Sequence, residues 1–251
     1  MVEEKYKEMV VKDEDGVRII QIKRDNPLNP LTIDLLQEIE HAVRESGRVV
    51  VIRGSDRAFS AGADINNFLS MDDRAAFHFS DLGQNVMNSI ATYEKPVIAA
   101  VHGYALGGGF ELALACDFRI SDVNTKYGFP EVGLGIMPGF GGTQRIMELA
   151  GPSYGKYLAL TGRVIDEKEA LDHGIVNMVS EKYLDEAMNL ARELAEKPAV
   201  SVRYIKEVMT GINREGYELE KERFALTFRT KDAREGLTAF KEKRKPKFTG
   251  E

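Results

Sequence analysis

The run Lys95-Pro96-Val97-Ile98-Ala99-Ala100-Val101-His102-Gly103-Tyr104-Ala105-Leu106-Gly107-Gly108-Gly109-Phe110-Glu111 decides the fold class. Val97–Val101 is short, wholly apolar and rich in β-branched residues, as in a strand buried on both faces. Phe110–Cys116 reads as a buried helix and Phe118–Ser121 as the strand after it. Working outward, Val17–Ile22 and Val49–Ile52 read as further strands. Thr32 can N-cap a helix that places Leu35, Leu36, Ile39 and Val43 on one face. Strands alternating with helices predict an α/β arrangement. Past about residue 140 the pattern turns helical. Asp166 and Glu169 form a capping-box pair closed by His173-Gly174. Tyr183–Glu196 and Val200–Met209 are amphipathic, and Asp232 with Glu235 reads as a second capping box before Leu237 and Phe240. The expected division is a core over residues 1–196 and a helical region over 197–251, with Pro198 at the joint.

At 251 residues, the chain can bury roughly 70–75% of its unfolded surface, enough for one substantial core. A hydrophobic content of 43% and a charged content of 29% are ordinary for a globular protein. The net charge of −6 argues against nucleic acid as the main partner. Cys116 is the one cysteine, so no internal disulfide forms. Its apolar surroundings make it a small buried hydrophobe. The charged start Met1-Val2-Glu3-Glu4-Lys5 does not resemble a signal peptide, and no apolar stretch has membrane-spanning length. The expected compartment is the cytoplasm.

Gly107-Gly108-Gly109 stands between a strand and an apolar helix. Taken alone, such a triplet fits close helix–strand packing. Amides at a helix N-terminus also suit a developing negative charge. Glu111, on an otherwise apolar helix, tips the reading toward chemistry, because burying a carboxylate costs several kcal/mol. Glu131 closes Tyr127-Gly128-Phe129-Pro130-Glu131, shortly before Gly139-Phe140-Gly141-Gly142-Thr143. Two carboxylates beside a glycine turn suit proton shuttling next to an oxyanion.

Other motifs fail. Neither glycine cluster gives GxGxxG, and Gly155-Lys156 lacks the Walker spacing. Gly151-Pro152-Ser153-Tyr154-Gly155 matches the GxSxG pattern, but Arg145–Ala150 before it reads as helix rather than the strand a nucleophile elbow needs. It reads as a helix–helix turn. No HExxH or CxxC motif points to a metal.

The stretches Lys95–Gly109, Ala58-Phe59-Ser60-Ala61-Gly62-Ala63-Asp64, Tyr127–Thr143 and Phe228–Phe240 closely resemble the crotonase (enoyl-CoA hydratase/isomerase) superfamily, over essentially the whole chain. The resemblance implies a crotonase-type spiral of ββα turns with a C-terminal helical region that builds a homotrimer or a hexamer. It implies an acyl-CoA thioester as substrate, with coenzyme A part of that substrate and no separate cofactor. Glu111 and Glu131 correspond to the two hydratase carboxylates, and the amides of Ala63 and Gly108 to the oxyanion hole. Ala61, Asp64, Ile65, Gly107, Pro130, Gly139, Phe240 and Lys243 fall where relatives contact the coenzyme or acyl group. The segment Lys23–Leu31 departs from the family pattern at Asp25 and Pro30.

The resemblance thus points to an enoyl-CoA hydratase. A Δ3-Δ2 enoyl-CoA isomerase needs only one of the two carboxylates. A protein of another class, binding RNA or assembling complexes with a vestigial site, would draw on the basic tail Lys241, Lys243, Arg244, Lys245 and Lys247. The ordinary reading of that tail is a solvated surface, and the resemblance favours cations near the coenzyme A phosphates.

Overall fold

The computed structural model describes residues 6–45, 47–55, 57–197, 199–209, 221 and 224–247. Pro198, expected at a joint, lies outside them. The first strands are β1 (Met9–Glu14) and β2 (Val17–Ile22), followed by helix α1 (Ile33–Glu45) and β3 (Val49–Arg53). A 3-10 turn over Ile65–Ser70 leads into α2 (Asp73–Ala91). Next come β4 (Val97–Val101), β5 (Tyr104–Leu106), α3 (Gly108–Ala115), β6 (Phe118–Ser121) and β7 (Lys126–Gly128). A second 3-10 turn, Pro130–Leu134, precedes α4 (Gly142–Thr161), β8 (Val164–Asp166), α5 (Glu167–Asp172) and β9 (Met178–Val179). The chain closes with α6 (Tyr183–Ala195), α7 (Ala199–Met209), a helical stretch at 224–227 and α8 (Lys231–Lys241).

Successive strands step between two sheets. One sheet runs β1-β2-β3-β4-β6-β9 and the other β5-β7-β8. β4 and β6 pair in parallel in the first sheet, while β5 and β7, the strands that follow each, pair in parallel in the second. A strand in each sheet and then a helix make one turn of a spiral. The central strands β3 and β4 of the large sheet are buried on both faces, which explains their unbroken apolar runs. In β3, Val50 and Ile52 join the main core with α1 and α2, while Val49 and Val51 pack on Ala187, Ala191 and Ala195 of α6.

Caps follow local chemistry. Thr32 Oγ1 accepts the Leu35 N–H at 3.2 Å, and Asp166 accepts that of Glu169 at 2.9 Å. The second expected capping box is not formed. Thr230 is the N-cap of α8, accepting the Ala233 N–H at 3.0 Å. Glu235 instead grips the tail, receiving Arg244 through both guanidinium arms at 2.6 and 2.8 Å and the Lys247 N–H at 2.8 Å. The Thr230 hydroxyl starts the helix two residues before Asp232, which therefore falls inside the first turn rather than at the cap.

The GxSxG segment lies within α4, which breaks at Gly151 (φ 80°, ψ 156°) and resumes at Pro152. No strand precedes Ser153, so the expected helix–helix turn is what forms. Leu219, Phe224, Leu226 and Phe228 are the apolar residues that the C-terminal sequence offers for assembly; Phe224 and Phe228 are instead buried in the chain's own main core, Leu226 is exposed, and Leu219 lies outside the described residues.

Candidate active site

The start of α3 shows how the glycine triplet is used. Gly107 adopts φ 49°, ψ −127°, which a side chain disfavours, and donates its N–H to Gly128 O at 3.0 Å. Gly109 lies against the segment before Ala63, where a Cβ would stand 2.1 Å from Ser60 O. Close packing therefore explains Gly109, whereas Gly107 and Gly108 face a cavity. A Cβ on Gly108 would stand 3.5 Å from the Ala63 nitrogen, so these two amides are neighbours. Among the described residues, no acceptor takes up either N–H.

Glu111 follows one turn later and is 2% exposed. Its Oε1 accepts the N–H groups of Phe140 and Gly142, both at 2.8 Å. Those amides belong to a loop that turns through Gly141 at φ 94° and opens α4. Side chains hold the loop from behind. Ser80 Oγ and Gln84 Nε2 donate to Gly139 O, at 2.5 and 3.2 Å. Buried Arg145 donates to Phe140 O at 3.0 Å and to Asn88 Oδ1 at 2.7 Å. Sequence reading missed this clamp. Its one signal was the recurrence of Ser80, Gln84 and Asn88 every four residues, a polar stripe on an otherwise apolar helix face.

Glu131 sits on the Pro130–Leu134 turn. Its Oε1 would lie 2.7 Å from a Cβ on Gly107, so this glycine leaves room for the carboxylate. Both glutamates, Ala63 and Gly108 line a single cavity of about 470 Å³. Phe68, Phe79, Phe140, Phe224, Ile136 and Met137 make its apolar part, and the exposed residues Leu28, Tyr104 and Phe240 stand at its rim.

Of the other expected contacts, Ala61, Ile65, Gly107, Pro130, Gly139 and Phe240 line the cavity. Asp64 does not. It caps the 3-10 turn, accepting the Asn66 N–H at 3.0 Å. Lys243 also lies off the cavity wall, exposed in the tail at φ 55°, with its N–H on Phe240 O at 3.1 Å.

Residues 12–251 match the sequence profile of a family described as enoyl-CoA hydratase/isomerase. The chain belongs to that family. A crotonyl-CoA hydratase from Syntrophomonas wolfei is 43% identical, over 97% of this chain and 98% of the relative. A short-chain-enoyl-CoA hydratase from Clostridium acetobutylicum is 39% identical, over 94% of this chain and 95% of the relative. Among solved structures, an enoyl-CoA hydratase subunit I from Geobacillus kaustophilus is 40% identical and superposes with a TM-score of 0.76, covering 98% of this chain and 99% of that one. The two-sheet spiral is thus the family's fold.

Proposed function

We propose that this chain is an enoyl-CoA hydratase that adds water reversibly to trans-2-enoyl-CoA, giving 3-hydroxyacyl-CoA. The observation that carries the reading is the meeting of two carboxylates and two outward-facing amides around one apolar cavity. Adding hydroxide to C3 drives charge onto the thioester oxygen. The Ala63 and Gly108 N–H groups would receive it, and one such donor is typically worth about 3–4 kcal/mol. Glu111 would orient the water and take its proton. Glu131 would deliver a proton to C2. The two amides on Oε1 hold the Glu111 carboxylate in place beside the cavity. Coenzyme A enters as part of the substrate, and the proposed reaction uses no further cofactor.

Loss of the conjugated absorbance of crotonyl-CoA on adding enzyme tests this directly. No loss, with the protein folded, would refute it. The reading extends to a homotrimer, or two such trimers in a hexamer, acting in the cytoplasm. Apolar side chains open to solvent support association: on α7, Tyr204, Ile205 and Met209 are exposed, the last by 79%. Among the described residues no helix is long and apolar enough to cross a membrane.

A further inference from the structure

We propose that a wall of phenylalanine rings centred on Phe68 limits the acyl group, so that the favoured substrates are short straight-chain enoyl thioesters. This rests on the hydratase reading for its chemistry, but not for its geometry. Phe68, Phe79, Phe140 and Phe224 all line the apolar part of the cavity and are all buried. Phe68 meets Phe79 edge-on at 5.4 Å between centroids and Phe224 at 6.4 Å, and Phe79 meets Phe140 at 5.1 Å. Phe228 is absent from the cavity surface but stands directly behind, 5.8 Å from Phe68 and 5.2 Å from Phe224.

The wall has little room to retreat. Phe140 rests on Gly83, where a Cβ would fall 2.0 Å from the ring, and Phe224 rests on Gly139, where it would fall 2.6 Å away. The Phe140 peptide is also tied at both ends, through its N–H to Glu111 and its carbonyl to Arg145. Rings packed on backbone at interior density do not yield to an added methylene without displacing each other. The wall also begins close to the reacting end. A Cβ on Gly108 would stand 3.2 Å from the Phe140 ring, so the ring borders the amide proposed to hold the thioester oxygen. Phe68 meets three of the other rings, and truncating it opens the cavity toward Phe228.

The test is kcat/KM for trans-2-enoyl-CoA esters of four, six, eight and ten carbons, in wild type, Phe68→Leu and Phe68→Ala. One misfitted methylene is commonly worth tenfold or more. Wild type should lose at least tenfold from four carbons to eight. Phe68→Ala should recover at least tenfold of that loss relative to the four-carbon ester, with Phe68→Leu intermediate. Leu keeps most of the buried volume, so it reports even if the alanine variant folds poorly. A flat wild-type profile, or an unchanged profile in the variants, overturns the proposal. If wild type hydrates none of the esters, the hydratase reading fails and the wall is judged by binding. Calorimetry should then show butyryl-CoA binding at least tenfold more tightly than octanoyl-CoA in wild type, a preference reduced in Phe68→Leu. Equal affinities would overturn the wall itself.

Discussion

Gly142 donates its N–H to Glu111 Oε1 at 2.8 Å and leaves no room for a side chain, since a Cβ there would stand 2.7 Å from Glu111 Cγ. Gly142→Ala should therefore push the carboxylate aside. Overpacking of this kind costs about 1–3 kcal/mol of stability, and misplacing a reacting group by 1 Å can cost roughly 10²-fold in rate. We expect kcat for crotonyl-CoA to fall on that order while the variant still melts cooperatively. An unchanged kcat would detach Glu111 from the chemistry.

Glu111→Gln and Glu131→Gln keep size and remove proton exchange. Each should lower turnover by ~10²-fold or more, the usual range for losing an acid or base. Circular dichroism establishes that the fold is retained. Near wild-type hydration by either folded variant would rule out the two-carboxylate mechanism.

Gly108 is the first residue of α3, where a helix tolerates proline. Gly108→Pro removes the N–H without breaking the helix ladder. A loss of about 10²–10³-fold in kcat is expected from the missing oxyanion donor. A folded variant that turns over normally would move the oxyanion hole elsewhere.

Burial pushes the Cys116 thiol up to about 12. The native chain should resist alkylation by iodoacetamide at pH 8 and react once unfolded. The sign of the pH dependence follows. An unfolded thiol loses its proton from about pH 8.5 upward, whereas the native one keeps it. The contribution is fully present below about pH 8.5 and is lost as pH rises toward 12. Chemical denaturation from pH 8 to 11 should show a shallower decline in Cys116→Ala than in wild type; identical slopes would contradict the burial effect.

Lys243 lies beside the cavity rim through Phe240, while the neighbouring Arg244 is committed to Glu235 and Glu242. We expect Lys243→Ala to raise KM roughly tenfold for crotonyl-CoA, as for a partly exposed phosphate contact of ~1–2 kcal/mol. KM for crotonyl-pantetheine and kcat for both esters should stay put, the signature of uniform binding. An equal effect on both esters, or none, would leave the lysine as a surface charge.

The strands legible in the sequence were those with side chains to bury. Val17–Ile22, Val97–Val101 and Phe118–Ser121 form as read, because period and composition agree over four to six residues. β5 and β7 have three residues each, too few for any period, and β1 carries Lys12, Asp13 and Glu14 at an open sheet edge. Glu111 stood out because a carboxylate in an apolar run is expensive, whereas Glu131, alone an ordinary loop carboxylate, stood out only through the motifs around it. The clamp behind them did not. Asn88 and Arg145 are 57 residues apart, and nothing local in either announces the other. Asp232 misled for the opposite reason: a good local cap signal lost to Thr230, whose hydroxyl starts the helix two residues earlier.

The contact between α8 and the Pro130–Leu134 turn joins two distant parts of the chain. Gly135 has its backbone against the Asp232 carbonyl, and Gly236 lies on that of Leu134, each too close for a Cβ. The turn that carries Glu131 is thus seated on α8, whereas Glu111 is gripped by the loop that opens α4. A change that loosens α8 would shift Glu131 and leave Glu111 in place, so the two carboxylates would fail separately.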